Sequence, residues 1–250
     1  MTLLVLAALG LVAFLYASVG HAGASGYLAV LALAGFSGSV IKPIALILNV
    51  AVASVGAWQF IRAGYLRWRT FWPLVVLSMP AAYLGGSLML PTPWFNRLVG
   101  LVLVVSSIRL LKDPHDAQSL REPNISVLLL TGGGLGLLAG LTGTGGGVFL
   151  TPLLLFRRWC RTKQAAACSV VFILLNSLAG LAGYVIARGG LLAGALGPLG
   201  PMMALSVPVV FAAGALGARF GSHHWPGAVL RRLLAIVLLL GATKLLALYG

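Results

Sequence analysis

Tyr16-Ala-Ser-Val-Gly-His-Ala-Gly-Ala-Ser-Gly-Tyr27 and Ala139-Gly-Leu-Thr-Gly-Thr-Gly-Gly-Gly-Val-Phe-Leu150 are the two stretches that decide the fold. Each is a glycine-rich interruption of an apolar segment, and the two stand at matching places in two halves of one chain. Paired breaks of this kind are the sequence mark of a transporter binding site between duplicated halves. The duplication extends well beyond the breaks. Leu48-Asn49 returns as Leu175-Asn176, Gly56 as Gly183, and the stretch around Pro80 as the stretch around Pro208.

Composition sets the solvent. Sixty per cent of the residues are hydrophobic and 8% are charged, against about a quarter charged in soluble domains. Too little polar surface exists to meet water, so the chain belongs in a lipid bilayer. Its first apolar segment lacks a basic leader and runs directly into the break, so Met1 to Tyr16 reads as part of the fold and not as a signal peptide. Seventeen Lys/Arg against three Asp/Glu would suggest nucleic acid in a soluble protein; in a membrane protein, basic loops set the orientation. Nucleic acid is therefore excluded as a partner. The acids Asp113, Asp116 and Glu122 all fall in one central loop, which argues against a cation path or a proton relay built on buried carboxylates. Cys160 and Cys168 read as free thiols. No metal-ligand spacing or cofactor motif occurs, and neither a metal nor a cofactor is expected.

Apolar spans fall near 40–61, 71–90 and 96–112, and again near 165–187, 199–219 and 228–248, each of a length that suits a bilayer core of roughly 30 Å. Trp58, Trp72, Trp94 and Trp225 lie toward span ends, as an interfacial belt requires. The broken segments cross either once, with a kink, or as hairpins that turn at the glycines. Charge decides between them. Single crossings divide the Lys/Arg eight against nine. Hairpins leave only Lys42, Arg97, Arg188 and Lys244 on one side and put the other thirteen of the seventeen opposite, which makes the richer side cytoplasmic.

The sequence thus predicts an all-α polytopic membrane protein of two five-element inverted repeats, each a broken-helix hairpin plus three transmembrane helices. The repeats are residues 1–112 and 125–250, joined by a polar cytoplasmic linker at 113–124, with both termini periplasmic. Gly132 to Gly140 reads as a close-packing face, Lys42 as a residue that snorkels toward the outer surface, and Pro80 and Pro208 as mid-span bends, mobile or static.

A hairpin that turns inside lipid frees backbone N–H groups, which must face protein or a wet cavity. The second arm of each hairpin starts at the break, so its positive helix end points to the middle of the protein and suits a small anion. The candidate substrate-binding residues are Gly20, His21, Gly23 and Ser25 in the first break, and Gly143, Thr144, Gly145, Gly146 and Gly147 in the second. Asn49 and Asn176 join them, either as donors to a bound oxyanion or as caps on broken backbone. His21 is a ligand or proton carrier, or a hydrogen-bonded structural residue. An anion channel would share the glycine site but needs a pore lined by polar or basic groups. An intramembrane enzyme on His21 and Ser25 lacks a buried acid to orient the imidazole, so no enzymatic activity is expected.

Gly143-Thr-Gly-Gly-Gly147 followed by Thr151-Pro152, the weaker echo Gly20-His-Ala-Gly-Ala24 and the duplicated layout together resemble the sulfite exporter TauE/SafE family, the 4-toluene sulfonate uptake permeases. The resemblance covers essentially the whole chain. It implies a secondary transporter of small sulfur-containing or carboxylate anions, such as sulfite, thiosulfate or organosulfonates, in the bacterial inner membrane, and leaves the direction open; alternating access around a midplane site is the mechanism expected of two inverted halves. His21, Ala22 and Ala24 depart from the glycine-rich pattern of the second half, which makes His21 a candidate specificity element.

Overall fold

Long apolar runs interrupted by glycine or by short polar turns give a chain of helices. The computed structural model describes residues 2–18, 21–111, 120–188 and 200–221, and Ile236, Leu239, Ala242, Thr243 and Leu246 beyond them. Among the described residues there are nine helices and no strand: α1 Thr2–Ser18, α2 Ala24–Leu33, α3 Gly38–Arg62, α4 Trp68–Ser87, α5 Thr92–Leu111, α6 Ile125–Thr142, α7 Gly147–Phe156, α8 Thr162–Ile186 and α9 Gly200–Gly221. Three of them, α3, α6 and the Lys163–Ile186 part of α8, are long and apolar enough to cross a membrane. Most of the span expected at 228–248 lies outside the described residues, as do Gly20 and most of the 113–124 linker.

Both glycine stretches break the helix where the sequence predicts. The chain folds back at the first break: Ser25 Oγ meets Tyr16 Oη at 2.7 Å, and Gly26 packs against Val12 and Tyr16. At the second break, Gly146 lies against Ala139 and the Leu135 carbonyl. In each pair the returning arm has ten residues, about 15 Å of helix, so it is half a span.

Glycine also sets how the helices pack. A Cβ placed on Gly132, Gly136 or Gly140 of α6 would stand 2.1–2.2 Å from the carbonyl oxygens of Leu74, Ser78 and Ala82 in α4. Only hydrogen lets the two backbones approach so closely, which is how helices gain packing energy where lipid gives no hydrophobic driving force. Leu74, Ser78 and Ala82 climb α4 in the same steps as the glycines climb α6, so the two helices run parallel. The expected packing face is thereby present.

Contacts between the halves come in reciprocal pairs. Helix α4 packs on α6 and, through Gly86 against Gly180, on α8. Helix α9 packs on α1, where Gly217 meets the Phe14 carbonyl, and on α3, where Gly214 meets Val52. Helices α3 and α8 cross antiparallel: Gly56 abuts Val170 at one end, and Tyr184 Oη donates to the Ser39 carbonyl at the other (3.1 Å). Outside this core, Trp58, Trp72 and Trp94 are exposed, with the Arg62 guanidinium over Trp58 and that of Arg97 over Trp94. The lipid-facing belt expected of these three tryptophans is consistent with that placement.

Lys42 departs from the sequence reading. It does not snorkel; it is 5% exposed, and its Nζ donates to the carbonyls of Gly85, Gly86 and Leu88, each at 2.9 Å. These oxygens close the C-terminal end of α4, where helix carbonyls lack partners and the dipole is negative. An ammonium is the natural cap for that end.

Candidate functional site

The second break is the better defined. Helix α6 stops at Thr142 because Gly143 adopts φ 78°, and Gly145 and Gly146 follow at φ 69° and 79°. Three left-handed residues in four positions require glycine. Space requires it too: a Cβ on Gly145 would lie 2.7 Å from Ile173 Cγ2 and 3.0 Å from Ser177 Oγ. The Thr142 hydroxyl donates to the Leu138 carbonyl (2.7 Å) and pairs with the Thr144 hydroxyl (2.9 Å), which occupies both polar side chains of the turn with each other. Beyond the turn, Phe149 and Leu150 N–H share the Gly146 carbonyl, and Gly147 and Val148 begin α7 as the orphan donors that a helix start carries. Thr151 Oγ1 donates to Ser169 Oγ at 2.6 Å and fixes α7 to α8.

Asn49 reaches this break from α3. Its Nδ2 donates to the Gly143 carbonyl at 3.1 Å, so that half of the amide caps broken backbone. Its Oδ1 has no partner. Asn176 differs from its sequence counterpart: neither Nδ2 nor Oδ1 is bonded, and the adjacent Ser177 Oγ is unbonded as well. All three residues have zero exposure. The α3–α8 register brings them to one level, since Asn49 stands seven residues before Gly56 on α3 and Ser177 seven after Val170 on the antiparallel α8. Four unpartnered polar atoms thus share one buried layer in mid-span. A buried polar group without a partner costs about 1–3 kcal/mol, so a layer of four is costly to leave unsatisfied.

The first break is arranged differently. Gly20 lies outside the described residues. His21 N–H donates to the Tyr16 carbonyl at 2.9 Å, and Gly23 at φ 92° turns the chain into α2. The Ser25 hydroxyl is engaged by Tyr16. Tyr27 Oη has no partner and lies 2.7 Å from where a Gly23 Cβ would be. His21 itself lines a cleft of about 20 Å³ with Val52, Gly56, Phe60, Val170 and Gly214 among its walls.

The two breaks meet α3 at different heights. Gly143 lies against Lys42 and Asn49, whereas His21 faces Val52 to Phe60. Ten residues of helix, roughly 15 Å, separate the middles of those two stretches, and the layer of Asn49, Asn176 and Ser177 falls between them. The structure therefore brings Gly143, Gly145, Asn49 and the Asn176–Ser177 pair together and leaves His21 and Ser25 on the other flank. Sequence reasoning missed Ser177, Tyr16, Tyr27 and Lys42. The tyrosines bound the very stretch that marks the first break, and Ser177 follows Asn176 directly; polar groups at such places are signals in themselves. Among the described residues no group of His, Cys, Asp or Glu is placed to hold a metal.

The sulfite exporter TauE/SafE family model matches residues 5–245. The probable membrane transporter protein y4hK of Sinorhizobium fredii is 39% identical over 240 residues, 94% of each chain. A probable membrane transporter protein of Methanocaldococcus jannaschii is 31% identical over 127 residues, 49% of this chain and 47% of its own. No solved structure matches the chain.

Proposed function

The chain belongs to the sulfite exporter TauE/SafE family of membrane transporters, and from that premise we propose that it is a secondary transporter of small sulfur-containing or organic anions. The observation that carries the reading is the buried layer of unpartnered Asn49, Asn176 and Ser177 atoms between two glycine breaks. Amide and hydroxyl donors, with the positive start of α7 close by, suit an oxyanion. No carboxylate competes there: Glu122, the one acid among the described residues, is bound to Arg67 in the turn region before α6 (2.6 Å).

Transport proceeds by alternating access, with residues 1–112 and 125–250 as inverted halves exchanging roles around the layer. The reciprocal packing of α4 on α6 and α8, and of α9 on α1 and α3, supports this reading, as does the loop after the first hairpin, Phe36 to Val40, which carries no base where its counterpart Arg157 to Lys163 carries four. The basic loops at Arg62–Arg69 and Arg157–Lys163 then face the cytoplasm of a bacterial inner membrane, and both termini face the periplasm.

The test is uptake into proteoliposomes of radiolabelled sulfite, sulfoacetate, toluenesulfonate and acetate, each against its own gradient-free control. The reading expects one or more of these to accumulate through the wild-type protein and none through Gly145→Val, whose side chain fills the space before Ser177. Equal uptake by wild type and Gly145→Val, or none of these anions moving, overturns it.

A further inference from the structure

We propose that the Asn49–Asn176–Ser177 layer selects anions of a single charge and rejects dianions. This rests on the reading of the layer as the anion site, and it narrows the substrate class to sulfonates, carboxylates and the singly protonated form of sulfite.

Helix α3 brings Asn49 to the layer and α8 brings Asn176 and Ser177, all uncharged. The α6–α7 turn brings Thr142 and Thr144, already paired with each other. The α1–α2 turn lies on the other flank, with His21 facing Val52 to Phe60 of α3. The cation nearest along α3 is Lys42, seven residues from Asn49 and so roughly 10 Å outward. Its ammonium donates to three carbonyl oxygens at 2.9 Å that form the negative end of α4, which offsets part of its field at the layer. At the layer itself, among the described residues, the positive end is the N-terminus of α7, equivalent to about half a positive charge.

A guest with one negative charge is met by this end and by the layer's donors: Asn176 Nδ2, the Ser177 hydroxyl and the first N–H groups of α7. The Ser177 hydroxyl marks the spot, being unpartnered, fully buried and directed at Gly145 just before α7 begins. A second negative charge finds no further counter-charge at the layer among the described residues and enters an apolar interior, which weakens its binding by roughly a hundredfold or more relative to a monoanion of similar size.

The experiment uses the full chain in detergent and reads the ligand-induced rise in melting temperature. The probes are methanesulfonate, a monoanion at every pH used; sulfate, a dianion throughout; and sulfite, titrated from below to above its second ionisation, all at matched ionic strength. Methanesulfonate is expected to give a shift that does not vary with pH. Sulfite should shift the protein on the acid side and lose the effect as it becomes a dianion, and sulfate should give none on either side. Asn176→Leu should abolish the methanesulfonate shift. If methanesulfonate and sulfite lose their shifts together as pH rises, a group of the protein sets the dependence and the proposal fails. A sulfate shift equal to that of methanesulfonate also overturns charge selection while leaving the anion site in place. No shift with any probe removes the site itself.

Discussion

Replacing Lys42 by methionine keeps the length of its stem and removes the ammonium that closes the end of α4. Three carbonyls then lose their donor. Leu88 is more than half exposed, so its carbonyl regains partners outside the protein. Gly85 and Gly86 are buried between α4, α6 and α8, and theirs do not. Two stranded carbonyls cost about 1–3 kcal/mol each, and the lost interaction of a cation with the negative helix end adds up to ~1 kcal/mol. Relief from holding a charge in an apolar setting offsets part of this, which leaves a net loss of about 2–4 kcal/mol. For a chain of this size that is roughly 5–15 °C in melting temperature. A thiol-reactive dye reads the transition directly, because Cys160 and Cys168 are 1% and 0% exposed and unpaired. The hydrogen bond to Cys168 and burial push the Cys160 thiol well above its usual range, so the dye stays dark until the fold opens. Lys42→Met melting within about 2 °C of wild type would refute the idea that this ammonium holds α3 to α4.

Three further outcomes follow from the same geometry. Gly136→Ala places a methyl 2.2 Å from the Ser78 carbonyl and should forfeit the α4–α6 contact, lowering the melting temperature by ~10 °C or more; Gly134→Ala, whose Cβ meets nothing within 4 Å, should be neutral or gain up to ~1 kcal/mol of helix propensity. Cysteines introduced at exposed Pro91 and Arg121 should report opposite sides of the membrane to an impermeant maleimide in intact cells: Pro91→Cys labels at once and Arg121→Cys only after permeabilisation, and the reverse pattern inverts the orientation. His21→Ala enlarges a cleft on the flank of the polar layer, so it should alter anion affinity in the thermal-shift assay without unfolding the protein; an unchanged affinity would assign His21 a structural role.

Much of the fold was legible because the signals were local. Gly23, Gly143, Gly145 and Gly146 had to be glycine to take positive φ, so the breaks could be placed from the sequence to within a few residues. The Gly132–Gly140 face announced itself by its four-residue spacing, which is the spacing of one helix stripe. Basic residues separated hairpins from single crossings without any knowledge of contacts. The unread features are those made by distant pairs. Nothing near Lys42 reveals that the end of α4, more than forty residues on, folds over its ammonium; a lone lysine near a helix start ordinarily reaches for the interface. Asn49 and Asn176 look equivalent in sequence, yet Asn49 Nδ2 is spent on Gly143 while both Asn176 atoms remain unbonded. That asymmetry arises from how the second hairpin meets α3, which sequence symmetry hides. Ser177 was missed for a simpler reason: a serine in a membrane helix commonly bonds its own backbone one turn back, as Ser78 does, and only the structure reveals that this one does not.

The Asn176→Leu variant tests the central claim most directly, because a site kept for a guest should be costly without one. Removing both unpartnered amide atoms should raise the ligand-free stability by about 1–3 kcal/mol and, in the same protein, abolish the methanesulfonate-induced shift. A variant that is less stable than wild type and still responds to the anion would mean that the layer is structural and that the anion binds elsewhere.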